Sequence, residues 1–238
     1  MSSYDAFEPI YDDWAAHMTE DVPFYVELAH EANGPLVELA VGNGRVAIPV
    51  ARETRRPVIG IDSSPAMLAE ARERAAAAAV ELDLREADMR ELELEEPAAL
   101  VYCPFRSLLH LRGWHDKRQV FERVAASLLP GGRFAWNAFV FDHKYAAQHD
   151  GFASRHGDLW ECSEVCPADN RVDVTAFLGE PGAEPRTLSL WWCTRSEWEG
   201  LVEAAGLEVE ALYGWFDRRP FDDSSEEFVF VARQPGSA

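Results

Sequence analysis

Three features of the 238-residue sequence predict an α/β fold: a mostly parallel sheet with helices on both faces, plus an inserted antiparallel β lid. Short apolar runs alternate with helix-like stretches across residues 36–141, the pattern of strands joined by helical crossovers. The first run ends in Gly42-Asn43-Gly44, a glycine turn leading into a helix. Between His143 and Cys193 the apolar period drops to two, which predicts consecutive antiparallel strands lying over the mouth of the parallel sheet.

In chain order, the spacing of Ile10, Tyr11, Trp14, Phe24, Tyr25 and Leu28 predicts one or two amphipathic helices over 8–31, restarted at Asp21 and Pro23 by a cap and a first-turn proline. Asn33-Gly34-Pro35 breaks that pattern. Residues 36–41 form a strand and 43–52 a helix, and 57–61 form the second strand. Ser64 caps the next helix and Pro65 opens it, because a first helical residue needs no N–H partner; the alanine tract carries it to about 79. Strands follow at 82–85 and 99–103, a helix at 116–128, and a strand at 133–141 after the Pro130-Gly131-Gly132 turn. The lid strands are 159–165, 171–177 and 187–193. A helix over 196–205 stops at Gly206, and strands at 207–213 and 227–232 close the chain.

Composition narrows the function. Twenty-two Lys and Arg against 42 Asp and Glu give a formal charge of −20, beside eight Trp and thirteen Phe. That much apolar area offsets the ordering entropy of a core and excludes a disordered chain. The charge repels phosphate backbones and anionic lipid, and no basic patch offsets it, so small molecules are expected as partners, not nucleic acid or membrane. No apolar run approaches the roughly eighteen residues of a spanning helix. Four Cys are too few for a disulfide scaffold, and the acidic N-terminus is unlike a signal peptide, so a cytoplasmic protein is expected. Cys162 and Cys166 lack zinc-site spacing, and no metal is expected.

Three acids give the glycine turn its meaning. Gly42 and Gly44 let backbone approach a ligand, and the helix N-terminus offers unpaired N–H groups. Gly42-Asn43-Gly44-Arg45-Val46-Ala47 also fits a dinucleotide fingerprint with Asp62 as its ribose acid, so a nicotinamide-dependent oxidoreductase competes. Glu38, four residues before Gly42, would repel a pyrophosphate but suits the ammonium of an amino-acid tail. Asp62, before Ser63, Ser64 and Met67, is placed to accept ribose hydroxyls. In Ala87-Asp88-Met89, Asp88 suits an adenine amino group and the Met89 backbone the ring edge.

With these motifs and Leu128-Leu129-Pro130-Gly131-Gly132-Arg133-Phe134, the chain resembles the class I S-adenosylmethionine-dependent methyltransferases over nearly its whole length. The resemblance implies a Rossmann-like seven-stranded, mostly parallel sheet with an antiparallel last strand. It implies S-adenosyl-L-methionine across the carboxyl ends of the first strands, released as S-adenosyl-L-homocysteine. Glu38 stands where Asp is commoner, and Asn43 and Arg45 flank Gly44 where small or Thr residues are frequent. Pro104 and Phe105, after the fourth strand, would wall the methyl-donor pocket.

On the acceptor side the resemblance to amino-sugar N-methyltransferases aligns His110, Tyr4 and Tyr11 with residues that face the acceptor. His110 and Tyr11 are the expected catalytic residues. Arg106 is an expected anion binder, with a surface ion pair as the alternative. Trp14, Tyr213 and Trp215 are expected in the acceptor pocket, against plain packing under the lid. Tyr11, Trp14 or Phe105 would stabilise a sulfonium by cation–π contact. The division is an N-terminal helical cap (1–35), a methyltransferase core (36–142 and 194–234) and a lid (143–193). The expected activity is in-line methyl transfer to an N or O nucleophile of a small molecule, with a homodimer left open. A catalytically silent donor-binding module is the other alternative.

Overall fold

The computed structural model describes residues 18–179 and 185–236; Tyr4, Tyr11 and Trp14 lie outside them. Five strands run parallel: β1 (Leu36–Leu39), β2 (Val58–Asp62), β3 (Leu82–Glu86), β4 (Ala98–Cys103) and β5 (Leu128–Phe139). β10 (Glu208–Tyr213) and β11 (Glu227–Arg233) complete a seven-stranded sheet ordered β10-β11-β5-β4-β1-β2-β3. The reversed strand is β11, antiparallel to both neighbours. The chain order turns around at β1, between β2 and β4, and open α/β sheets place ligands outside the carboxyl ends of strands at such a point.

Strand alternation sends successive residues to opposite faces, and both faces are covered. Val37, Leu39, Val101 and Trp136 join one apolar cluster with α4 (Gly113–Ser127) and α6 (Arg195–Ala204). Leu36, Leu100, Tyr102 and Val229 join the other, with α1 (Asp21–Glu31), α2 (Ala47–Thr54) and α3 (Pro65–Ala78). Helix ends follow local chemistry. The Ser64 hydroxyl accepts from the Met67 N–H at 3.3 Å, Thr194 and Glu197 form a reciprocal capping box, and Gly206 takes φ +74° after α6.

Several boundaries differ from expectation. The turn after β1 runs on to Val46 before α2 begins, because Gly44 N–H bonds Val41 carbonyl (3.0 Å) and holds a tight turn. Asp21 does not cap α1; it is the first helical residue, fully buried, with its carboxylate on Arg45. β5 starts at Leu128, so Pro130-Gly131-Gly132 lies inside an irregular strand.

The second sheet has four antiparallel strands, not three: β6 (Ala153–His156), β7 (Leu159–Cys166), β8 (Arg171–Leu178) and β9 (Arg186–Trp191). A further helix, α5 (His143–His149), joins it to β5. Val172, Val174, Leu188 and Leu190 are buried in the same cluster as Trp136, which fixes this sheet against the first. Cys162 and Cys166 are free thiols on β7. Among the described residues no helix is long and apolar enough to cross a membrane.

Candidate active site

Gly42 takes φ +54°, and its N–H donates to Asp62 Oδ2 at 2.8 Å; Asp62 Oδ1 accepts from the Ser64 N–H at 2.8 Å. The carboxylate at the end of β2 therefore ties the glycine turn to the cap of α3. Around it is a cavity of about 260 Å³ bordered by Gly42, Asp62, Ser63, Met67, Asp88 and Met89. Gly44 sits beneath, at φ +84°, where an added Cβ would come within 2.9 Å of Ile48. The left-handed backbone favours glycine there, whereas the contact is with the tip of the Ile48 side chain.

Glu38 is buried, and its Oε2 has no hydrogen-bond partner among the described residues. Burial pushes its carboxyl well above the usual carboxylate range, against the lowering influence of the Tyr102 phenol and the Arg45 guanidinium. A buried carboxylate oxygen with no partner is costly. Glu38 borders neither cavity, but the ammonium of a methionine-like tail would satisfy this oxygen, and with Gly42, Asp62 and Asp88 around the smaller cavity the residues present fit S-adenosylmethionine.

The adenine end is less open than the motif implies. Asp88 accepts the Arg90 N–H at 2.9 Å, and the Arg90 guanidinium grips its carboxylate at 2.6–3.1 Å. These bonds hold the Asp88 carboxyl below the usual carboxylate range. Arg90 borders the cavity too, and sequence reasoning missed it.

Past β4, Phe105 and Arg106 both take positive φ (+55° and +62°). Two consecutive left-handed residues without glycine cost of order 1–3 kcal/mol each, and such strain gathers at functional sites. They border a second cavity of about 570 Å³, closed by Phe139 and Tyr145 on one side and by Glu161, Val174 and Leu190 of the second sheet on another. Pro104 lies buried behind them, its carbonyl accepting from Ser107 N–H (3.2 Å) and Oγ–H (2.8 Å), and borders neither cavity. His110 borders both cavities. Burial, and secondarily the charge of Lys117, push its imidazole down to about 3.

Arg106 is not a free anion receptor. Its Nε (3.1 Å) and Nη2 (2.7 Å) donate to Glu227, a fully buried carboxylate that also accepts from Asn137 Nδ2 at 2.7 Å. Tyr25 in turn donates to Asn137 Oδ1 at 3.0 Å. The Arg45 guanidinium lies 4.7 Å from the Phe105 ring centre, so one face of that ring already carries a cation. Arg45, the departure beside Gly44, also bonds Asp21 and the Met18 carbonyl, tying α1 to the turn.

Tyr213 and Trp215 border neither cavity. β10 is the outer strand, and the chain after it folds back on α1: Tyr213 packs edge-on to Phe24 at 6.2 Å, and Trp215 to Phe216 at 5.3 Å. From the same loop it is Ser224, Ser225 and Glu226 that reach the larger cavity. Tyr145 and His149 also border it and were missed, because sequence reasoning placed 143–149 in the lid without assigning them an element. The signal was present: Asp142 caps the Lys144 and Tyr145 N–H groups, each at 2.8 Å.

The glycine turn sealed to the next strand's carboxylate, at the switch point of a sheet with a reversed strand, agrees with what the resemblance to S-adenosylmethionine-dependent methyltransferases implies. Residues 36–132 match the family model described as a methyltransferase domain. The chain is 28% identical over 215 residues to dTDP-4-amino-2,3,4,6-tetradeoxy-D-glucose N,N-dimethyltransferase of Saccharopolyspora spinosa, covering 85% of this chain and 82% of that enzyme. It is 27% identical over 190 residues to dTDP-3-amino-3,6-dideoxy-α-D-glucopyranose N,N-dimethyltransferase of Streptomyces fradiae (75% and 72%). The solved CcbJ methyltransferase of Streptomyces caelestis superposes with a TM-score of 0.84 at 26% identity, over 97% of this chain and 96% of that one. The protein is an S-adenosylmethionine-dependent methyltransferase, with its methyltransferase domain at residues 36–132.

Proposed function

We propose that the enzyme methylates the amine of a small amino-sugar-like acceptor bound in the larger cavity, with the donor in the smaller one. The carrying observation is that His110 borders both cavities, so the two ligands meet at one side chain. The amino-sugar relatives support the acceptor class. In this reading the described residues of segments 1–35 and 143–193 close the acceptor side, and the reaction takes place in the cytoplasm. The charge of −20 disfavours a nucleic-acid acceptor.

S-adenosylmethionine, when bound, supplies a methyl group already activated on a sulfonium. The chain's own work is alignment, worth about 7–11 kcal/mol in well-oriented cases. Glu38 holds the ammonium, Asp62 the ribose, and Asp88 with Met89 the adenine edge. His110, neutral near pH 7, accepts a hydrogen bond from the acceptor N–H and points the nitrogen lone pair toward the donor side. A base so weakened is a poor proton acceptor, so His110 orients the nucleophile rather than deprotonating an ammonium.

The test is transfer of a labelled methyl group to dTDP-3-amino-3,6-dideoxy-α-D-glucopyranose and to the same sugar with hydroxyl replacing the amine, read by mass spectrometry. Label on the amine alone is expected. Label on neither, with S-adenosylhomocysteine bound normally, would refute the acceptor class.

A further inference from the structure

Four residues of α5 border the larger cavity, and two of them, Tyr145 and His149, are stacked ring on ring. The Tyr145 ring is sandwiched between Phe139 (centroids 4.7 Å apart, planes 6° apart) and His149 (4.2 Å, 18°). With both faces covered, Tyr145 has its edge and hydroxyl left to present. That hydroxyl has no hydrogen-bond partner among the described residues. Burial raises it to about 12, so it stays protonated and a donor. His149 Nδ1 lies 2.8 Å from the Tyr145 carbonyl oxygen, which can only accept. The proton of a neutral His149 is therefore on Nδ1, and Nε2 is an acceptor. One face of the cavity thus carries a fixed donor beside a fixed acceptor, the complement of an alcohol, which both donates and accepts.

Resting on the methyl-transfer reading above, we infer that Tyr145 and His149 select acceptors bearing a hydroxyl group close to the reacting amine. A site built to bond a hydroxyl discriminates against the analogue lacking it, because its own polar groups are then left unpaired. The sugars named for two relatives provide the comparison. The 3-amino-3,6-dideoxy sugar keeps hydroxyls on both carbons flanking its amine, and the 4-amino-2,3,4,6-tetradeoxy sugar has none on its neighbouring ring carbon.

The experiment measures kcat and KM for both dTDP-sugars with wild type, Tyr145→Phe and His149→Phe, and S-adenosylhomocysteine affinity for each protein as the control for folding. Wild type is expected to prefer the hydroxylated sugar by about tenfold or more in kcat/KM. Each variant is expected to shrink that preference several-fold, chiefly through KM, with S-adenosylhomocysteine affinity within about twofold of wild type. Equal use of the two sugars by wild type, or variants that keep its preference, would overturn the inference and leave the acceptor class standing. Methylation of neither sugar would overturn both.

Discussion

Asp62 and Gly42 are joined by a 2.8 Å bond from the glycine N–H to the Asp62 Oδ2, across twenty residues of sequence. With the Ser64 N–H on Oδ1, the carboxylate serves two backbone donors before any ligand arrives. Asp62→Ala removes both anchors and the ribose acceptor together, and S-adenosylhomocysteine affinity is expected to fall at least about 30-fold by calorimetry. Asp62→Asn is expected to rescue little, because an amide offers one oxygen to two N–H donors and turns its NH₂ against the other.

His110 carries a pH signature. Its folded-state value lies near 3 and its unfolded value near 6.5, so between those pH values the unfolded chain binds the extra proton. Stability conferred by the neutral imidazole is therefore complete above about pH 6.5 and drains away as the pH falls toward 3. Denaturation midpoints measured from pH 7.5 to 4.5 are expected to fall less steeply in His110→Asn than in wild type. In kinetics, no ionisation near pH 6–7 belonging to His110 is expected in the kcat profile.

Arg106 and Glu227 form an asymmetric pair, with Arg106 one-third exposed and Glu227 fully buried. Arg106→Met strands a buried carboxylate and is expected to cost about 3–5 kcal/mol in chemical denaturation. Glu227→Gln keeps the shape and the Asn137 contact and leaves an arginine that can reach solvent, so a smaller loss is expected. The double variant should recover part of the Arg106→Met loss. Additive losses would show that the pair is not coupled.

Arg45 and Asp21 make the same kind of pair between the glycine turn and α1, with Asp21 wholly buried and Arg45 bonded also to the Met18 carbonyl. Arg45→Met is expected to lower both stability and S-adenosylhomocysteine affinity, since it frees the turn from its helix. Loss of stability with unchanged affinity would confine Arg45 to holding α1.

The parallel half of the fold was legible because each element is punctuated locally: Ser64-Pro65 opens α3 and Gly206 ends α6. That Gly42, Asp62, Ser63, Met67, Asp88 and Met89 border one cavity was legible for the same reason, each being tied to a strand end within a short motif. What escaped depends on distance or on short elements. Arg106 meets Glu227 across 121 positions, and no local pattern announces a carboxylate that is buried only once β11 slots between β5 and β10. α5 has seven residues, too few for a helical apolar period, so Tyr145 and His149 were hidden although their Asp142 cap was in view. Tyr213 and Trp215 were misplaced because an aromatic loop looks alike whether it lines a cavity or packs on a helix. Here Phe24 and its neighbours on α1 made it packing.

The account stands on donor and acceptor meeting at His110. A crystal structure with S-adenosylhomocysteine and dTDP-3-amino-3,6-dideoxy-α-D-glucopyranose is the direct measurement. The homocysteine ammonium is expected on Glu38, the ribose on Asp62, and the sugar amine within hydrogen-bonding distance of His110, facing the sulfur. A sugar amine bound away from His110, or a nucleoside outside the cavity between Gly42 and Met89, would contradict it.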